Sequence, residues 1–189
     1  TTAGQGSILQ GFTLRDGATS TESAGSANYG GGVFMEGLWS KDFYLVDSTV
    51  RNCTAFQGGG MGGGTAIRCY FVRNDLPWLT GAYAGAAGYA MSAWCCVFFE
   101  NAHQTNGSVL NNCVTVNCTV YYCSGKNGAR CELRHASSQT YNSLVYEHDT
   151  AKDCTIAGTG ENNVTGTLSF VSVDANVCVF SVASLGRAG

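Results

Sequence analysis

Four charged residues, Asp47, Arg68, Arg130 and Asp153, have side chains that could support catalysis. Carboxylates exchange protons or bind cations, and arginine stabilises a developing anion. Each flanks the centre of a short alternating segment, so each is expected to point outward from a strand end. Asp47 and Arg68 are predicted on neighbouring turns of a stacked structure, as are Arg130 and Asp153. No two carboxylates are predicted to be adjacent, which disfavours the paired acids of a glycosidase. Cross-turn ion pairs are the alternative interpretation.

Motifs for metal binding or nucleophilic catalysis are missing from the sequence. His103, His135 and His148 belong to neither a Ser-His-Asp nor an HExxH pattern. The cysteine spacings do not follow the CxxC pattern of structural zinc sites. The sequence therefore predicts no metal site.

Three aromatic residues, Trp78, Tyr83 and Tyr89, are the candidates for ligand binding. Exposed aromatic rings are enriched at binding surfaces, so these residues predict a contact with carbohydrate or protein. The alternative interpretation is that these rings lie in loops and pack against the core of the protein. Residues 76–99 carry no charge but are interrupted by Gly, Ser, Thr and Pro77, so no membrane-spanning helix is predicted there.

The composition indicates one glycine-rich, strand-rich domain over residues 1–189. The chain has 26 glycines and one proline, and only 12% of its residues are charged. A net charge of -3 argues against a nucleic-acid partner, because such binding neutralises phosphates with basic residues. Ten cysteines favour an oxidising compartment and hence a secreted or cell-surface protein. Disulfide bonds and buried free thiols both remain open.

A short repeat runs along the chain. A central residue has a small or aliphatic residue three positions before it and an apolar residue two positions after it in most copies, as in Ala66, Cys69 and Phe71. The spacing varies between 17 residues (96 to 113) and 36 residues (12 to 48), which fits stacked turns with fixed strands and variable loops. The central positions are residues 12, 48, 69, 96, 113, 131, 154 and 178.

Stacked turns predict columns of similar residues, because equivalent positions lie about 4.8 Å apart. A buried column of cysteines is predicted at the central positions of six successive copies. A column of asparagines is predicted four or five residues later, where Asn tolerates the left-handed backbone of a sharp bend. The cysteine column comprises Cys69, Cys96, Cys113, Cys131, Cys154 and Cys178, and the asparagine column comprises Asn52, Asn74, Asn101 and Asn117.

These repeats resemble those of right-handed parallel β-helix proteins of the pectin-lyase-like class, and especially the polymorphic outer-membrane-protein repeats. The likeness is carried by GFTLRDG at 11–17, GGGVFMEG at 30–37, STVRNCTAFQGGGMGGG at 48–64 and CYFVRN at 69–74. The predicted fold is therefore all-β: a single-stranded right-handed parallel β-helix of seven to eight turns with little or no α-helix. The 189 residues form one such domain or a piece of a longer solenoid.

The resemblance implies several functions, since the same coil serves lyases, hydrolases, adhesins and passenger domains. The first hypothesis is an extracytoplasmic structural, adhesive or surface-scaffold module without catalysis. The alternatives are a polysaccharide lyase or hydrolase, which would use clustered Asp residues for Ca²⁺ or acid catalysis, and a carbohydrate-binding module. No cofactor is expected outside the lyase alternative. Exposed solenoid ends predict end-to-end self-association.

Overall fold

The chain forms a parallel β-solenoid in which each turn contributes strands to three long sheets. No α-helix occurs in the part of the chain that the structure describes, which confirms the all-β prediction. The computed structural model describes residues 6–19, 28–35, 42–76, 85–103, 108–121, 123–125, 132–134, 138–146, 155–156, 159–161, 163–166, 169–174, 177–181 and 186–188.

The first sheet contains six parallel strands in the order in which they occur along the chain. They are β1 (Ser7–Gln10), β4 (Phe43–Val46), β7 (Thr65–Ile67), β10 (Ser92–Trp94), β14 (Val114–Val116) and β18 (Gln139–Tyr141). The second sheet follows it around the solenoid. It contains β2 (Thr13–Arg15), β5 (Thr49–Arg51), β8 (Tyr70–Val72), β11 (Val97–Phe99), β15 (Thr119–Tyr121), β19 (Leu144–Tyr146) and β21 (Asn163–Gly166), with β24 (Gly186–Ala188) antiparallel to β21 at its end.

The third sheet closes each turn and also has six strands. They are β3 (Val33–Phe34), β6 (Met61–Gly62), β9 (Gly85–Tyr89), β13 (Ser108–Asn111), β17 (Glu132–Arg134) and β20 (Thr155–Ile156). Two small sheets complete the described strands: β12 (Ala102–His103) with β16 (Ser124–Gly125) in parallel, and β22 (Ser169–Asp174) with β23 (Val177–Ser181) in antiparallel orientation. The first and third sheets therefore show fewer turns than the seven to eight predicted.

The core is built from columns of inward side chains that continue from one turn to the next. In the second sheet, Val50, Phe71, Phe98 and Val120 are in register and fully buried. The rings of Phe71 and Phe98 stack with centroids 5.0 Å apart. Burying a side chain of this kind contributes about 1.5–3 kcal/mol, so a short strand becomes stable only when its neighbours above and below cover it.

Each turn bends at corners where one residue adopts a left-handed backbone. Between the first and second sheets these residues include Asp47, Arg68, Cys95 and Asn117, with φ angles between 46° and 54°. Left-handed geometry costs an L-residue roughly 1–2 kcal/mol. The backbone N–H of each left-handed residue nevertheless donates to the next turn, as in Arg68 N to Trp94 O at 2.9 Å, so the ladder continues through the bend.

The residues that follow the left-handed Arg68 and Asn117 are buried, and each donates its backbone N–H to a side chain of the next turn. Cys69 N donates to Cys96 Sγ at 3.4 Å, and Cys118 N donates to Ser143 Oγ at 3.1 Å. The same thiols donate to carbonyls, as Cys96 does to Trp94 O at 3.3 Å. The corner therefore requires a small side chain that both accepts and donates, which explains the choice of cysteine and serine.

The cysteine column differs from the prediction after Cys96. Cys118, not Cys113, follows Cys96 at the corner between the first and second sheets, because β14 and β15 flank it. Cys113 lies at the corner between the third and first sheets, directly before β14. Each turn has three similar corners, and each corner has a position that suits a small side chain. The repeat pattern in the sequence does not distinguish these three positions. Cys178 lies in the antiparallel strand β23, while Cys131 and Cys154 lie outside the described residues.

The predicted asparagine column is divided between two kinds of position. Asn74 and Asn101 form a fully buried column at the corner after the second sheet. Asn52 lies one residue earlier in its own turn, exposed and left-handed with φ of 53°. Asn117 is also left-handed, but at the corner between the first and second sheets. Only two of the four amides are therefore inside the solenoid.

Candidate functional site

The charged candidates Asp47 and Arg68 lie on successive turns and bind each other. Arg68 Nε donates to Asp47 Oδ1 at 2.7 Å, and its terminal nitrogen donates to Asp47 Oδ2 at 2.9 Å. Gln10 Nε2 of the preceding turn donates to the same Oδ2 at 2.8 Å. This exposed network connects side chains of three successive turns along one outer corner. Arg130 and Asp153 lie outside the described residues.

The neighbouring outer corner repeats this arrangement. Arg73 Nε donates to Glu100 Oε2 on the next turn, and Asn52 Nδ2 donates to Asp16 Oδ1 at 3.4 Å. Left-handed residues of successive turns project outward in a row, so opposite charges meet across turns. In both rows the carboxylates serve as partners of arginine or of amides, and such exposed pairs contribute little stability.

The Asp47 carboxyl gives a direct test of this network through its ionisation. Hydrogen bonds from Arg68 lower the pKa of Asp47 below its ordinary value of 3.8. A lowered pKa means that this stabilisation is present above pH 3.8 and is lost as pH falls through the folded pKa. We expect NMR titration to show the Asp47 carboxyl titrating below this value, and Arg68→Gln to return it toward 3.8. An unchanged Asp47 titration in Arg68→Gln would contradict the pairing.

Tyr89, a candidate for ligand binding, belongs to a column of aromatic rings beside the third sheet. Its ring stacks on Tyr29 with centroids 5.7 Å apart, and Tyr29 stacks on Phe34 at 6.0 Å. Burial raises the pKa of Tyr89. Phe34 remains 40% exposed, so the column reaches the surface. Trp78 and Tyr83 lie outside the described residues.

An apolar column on the outer face of the first sheet was missed by the sequence analysis. Trp94, at its centre, is 46% exposed. Its members stand in register on successive turns: Val46, Ile67, Trp94, Val116 and Tyr141. Each lies two positions before the inward residue at the corner between the first and second sheets. The recurrence of an apolar residue at that position could have revealed the column from the sequence. In a regular strand, residues two positions apart point to the same side. Here a left-handed residue lies between the two, so the apolar residue points outward although the corner residue two positions later points inward.

Six of the described cysteines have buried thiols, which burial shields from solvent. Cys69, Cys96 and Cys118 are at most 2% exposed. A hydrogen bond with the Cys118 thiol and burial raise the pKa of Cys96 to about 12, and the hydrogen bond with Cys96 and burial raise the pKa of Cys69. The hydrogen bond with Cys96 lowers the pKa of Cys118, so burial alone protects that thiol. Within the described ranges no three His, Cys, Asp or Glu side chains form a group that could hold a metal ion.

We expect exposed and buried cysteines to differ strongly in their rate of alkylation in the folded protein. Cys95 is exposed and should react with iodoacetamide, while the cysteines that the structure shows as buried react only after unfolding: Cys53, Cys69, Cys96, Cys113, Cys118 and Cys123. Alkylation requires contact between the reagent and the sulfur, and burial denies that contact to these six thiols. Peptide mass spectrometry before and after denaturation measures the difference. Modification of Cys96 at the rate of Cys95 in folded protein would contradict the buried column.

Comparison with protein-family models, curated proteins and solved structures gives no match to this chain. The resemblance of its repeats to those of pectin-lyase-like proteins therefore stays a prediction from the sequence. Within the residues described, no helix is long and apolar enough to cross a membrane.

Proposed function

We propose that this chain is an extracytoplasmic structural module, a surface scaffold or adhesive element without catalysis. One observation carries the proposal: Asp47 and Arg68, the described candidates for catalysis, are bound to each other across turns. Glu100 is likewise held by Arg73. Arg68 holds the pKa of Asp47 below its ordinary value, so Asp47 is a poor proton donor near neutral pH. The extracytoplasmic location is supported by the resemblance of the repeats to those of surface and passenger proteins.

The interior supports the same role. Its corner side chains satisfy the backbone of adjacent turns, and its sheet side chains fill the space between them. Side chains that hold each turn to the next suit a stiff rod whose surface can carry contacts along its length. Ca²⁺ has no part in this proposal and belongs only to the lyase alternative.

A turnover assay separates the scaffold from the lyase or hydrolase. Purified protein is incubated with polygalacturonate and with neutral plant polysaccharides, with and without Ca²⁺, and newly formed chain ends are measured. We expect no release above a heat-denatured control. Release that is lost in Asp47→Asn and Arg68→Gln, but kept in Arg15→Gln, would overturn the proposal. Arg15 is a matched control because it is also an exposed arginine in an ion pair.

Carbohydrate binding is a second candidate, supported by the aromatic column of Tyr29, Phe34 and Tyr89. Aromatic rings with a partly exposed edge can contact the apolar faces of sugars. Titration of an oligosaccharide panel by calorimetry tests it. Binding that Tyr89→Ala abolishes and Tyr70→Ala preserves would support this candidate, since Tyr70 is an exposed ring on a different sheet.

A further inference from the structure

Four asparagines of the chain begin an Asn-X-Ser/Thr sequon, the acceptor sequence for N-linked glycosylation. They are Asn52, Asn106, Asn117 and Asn163, of which Asn106 lies outside the described residues. Such tripeptides also arise by chance, so the sequence alone does not separate acceptors from other asparagines. The position of each amide in the fold does separate them, because a bulky glycan requires a surface site.

Asn52 and Asn117 present their amides at outer corners of the solenoid. Both side chains are exposed, and both residues are left-handed with φ of 53°. Their sequons are the same tripeptide, Asn-Cys-Thr, in which the cysteine is buried. The threonine then continues the solenoid: Thr119 begins β15, and Thr54 forms a parallel bridge with Asp75. The corner therefore turns the acceptor amide toward solvent while the rest of the sequon stays in the fold.

The amide of Asn52 also tolerates a substituent. Its Nδ2 donates a single long hydrogen bond, to Asp16 Oδ1 at 3.4 Å. A primary amide has two N–H groups, and glycosylation replaces one of them. The remaining N–H is enough for the bond to Asp16, so a glycan at Asn52 is compatible with this contact between turns.

Asn163 has the opposite environment. It is 4% exposed, and its Oδ1 accepts from Ser143 N at 3.1 Å. Its Nδ2 donates to Thr140 O at 2.7 Å, so both ends of the amide bind the backbone of the preceding turn. An oligosaccharide at this buried position would have to displace neighbouring atoms of the solenoid. The folded chain therefore excludes a glycan at Asn163.

We propose that Asn52 and Asn117 are N-glycosylation sites of this chain and that Asn163 is not. The inference rests on the extracytoplasmic location proposed above, since the modification belongs to secreted proteins. The donor is an oligosaccharide carried on a lipid diphosphate. Nδ2 forms a bond to the anomeric carbon, the bond from that carbon to the diphosphate oxygen breaks, Nδ2 loses a proton and the lipid diphosphate leaves.

A glycan at Asn117 has a consequence for the exposed thiol of Cys95. Trp94 and Val116 are in register, so the residues that follow them, Cys95 and Asn117, occupy the same corner on successive turns. Equivalent positions of adjacent turns lie about 4.8 Å apart. An oligosaccharide on Asn117 should therefore shield Cys95 from a bulky maleimide, and enzymatic removal of the glycan should restore the reaction.

Mapping of glycans on the secreted chain tests the assignment. The full chain with Asn106→Gln is fused to a secretion leader and produced in cultured eukaryotic cells, so it enters the secretory pathway whatever its natural compartment. We expect two mobility shifts that peptide N-glycosidase removes. Deglycosylation in heavy-oxygen water followed by peptide mass spectrometry should label Asn52 and Asn117 and leave Asn163 unlabelled.

Matched variants test each sequon without changing its asparagine. Thr119→Val removes the sequon hydroxyl but keeps a β-branched residue in the strand, and it should remove one shift. Thr54→Val should remove the other. Asn142 is also exposed and left-handed, but its tripeptide, Asn-Ser-Leu, is not a sequon. Leu144→Thr completes that sequon and should add a third shift.

Two results would overturn the assignment: secreted chain in which Asn52 or Asn117 carries no glycan, or a glycan at Asn163 in protein whose circular dichroism shows the β-fold. A Cys95 maleimide rate that is unchanged by the glycosidase would contradict the placement of the Asn117 glycan. Failure of these experiments leaves the scaffold proposal intact, because its own test is the turnover assay. Release of polysaccharide ends in that assay, in turn, leaves the glycan sites intact.

Discussion

Replacement of Gly59 by alanine is expected to lower the free energy of unfolding by about 3 kcal/mol or more. A Cβ at this position would lie 2.5 Å from the Ala86 carbonyl oxygen and 2.6 Å from that of Asp75. Both atoms belong to backbone, and Gly59 N is itself bonded to Gly85 O at 3.2 Å. Relief of the contact therefore requires movement of the next turn, which a rotation of side chains cannot provide.

Gly11→Ala is the matched control for this prediction. Gly11 has a φ of 76°, and a Cβ added there would have no neighbouring atom within 4 Å, so alanine meets only the left-handed backbone. The expected loss is about 1–2 kcal/mol. Urea unfolding followed by circular dichroism measures both variants. A loss for Gly59→Ala no larger than that for Gly11→Ala would contradict a steric clash with the backbone of the next turn.

Replacement of Asn101 by alanine is expected to remove about 3–5 kcal/mol of stability. Asn101 is fully buried, and its Oδ1 accepts from both the backbone N and the Nδ2 of Asn74 at 3.0 Å. Its Nδ2 donates to Phe71 O at 2.8 Å. Alanine would remove these partners of Asn74 N and Phe71 O, while Asn74 Nδ2 would keep its bond to Val50 O at 3.0 Å. Each group left unsatisfied in the interior costs about 1–3 kcal/mol.

Two further variants identify the cause of that loss. Asn101→Cys should lose less than Asn101→Ala, because a thiol takes up the same type of backbone N–H at Cys96. Asn52→Gly should change stability by less than about 1 kcal/mol, since Asn52 is exposed and its left-handed φ suits glycine. Thermal and urea unfolding of the three variants decide the order. If cysteine proved no better than alanine at residue 101, the loss would reflect packing rather than hydrogen bonding.

The candidate site was only partly accessible from the sequence. Alternation around the repeats was enough to assign Asp47 and Arg68 to the outside of adjacent turns, where they meet. It did not indicate that Tyr29 stacks on Tyr89, because these residues are far apart in sequence and come together through the third sheet. It also missed the outer column around Trp94, since a left-handed residue reverses which face the following side chains take.

The sequence by itself determined an all-β solenoid, because alternation with a period of two is a local property of each strand. It also determined that small hydrogen-bonding residues recur at the bends. Tertiary structure decided which of three corners each residue occupies, as for Cys113 and Cys118, and where antiparallel strands replace parallel turns, as at Cys178. Those choices depend on backbone hydrogen bonds between turns separated by loops of unequal length, and no local pattern records that register.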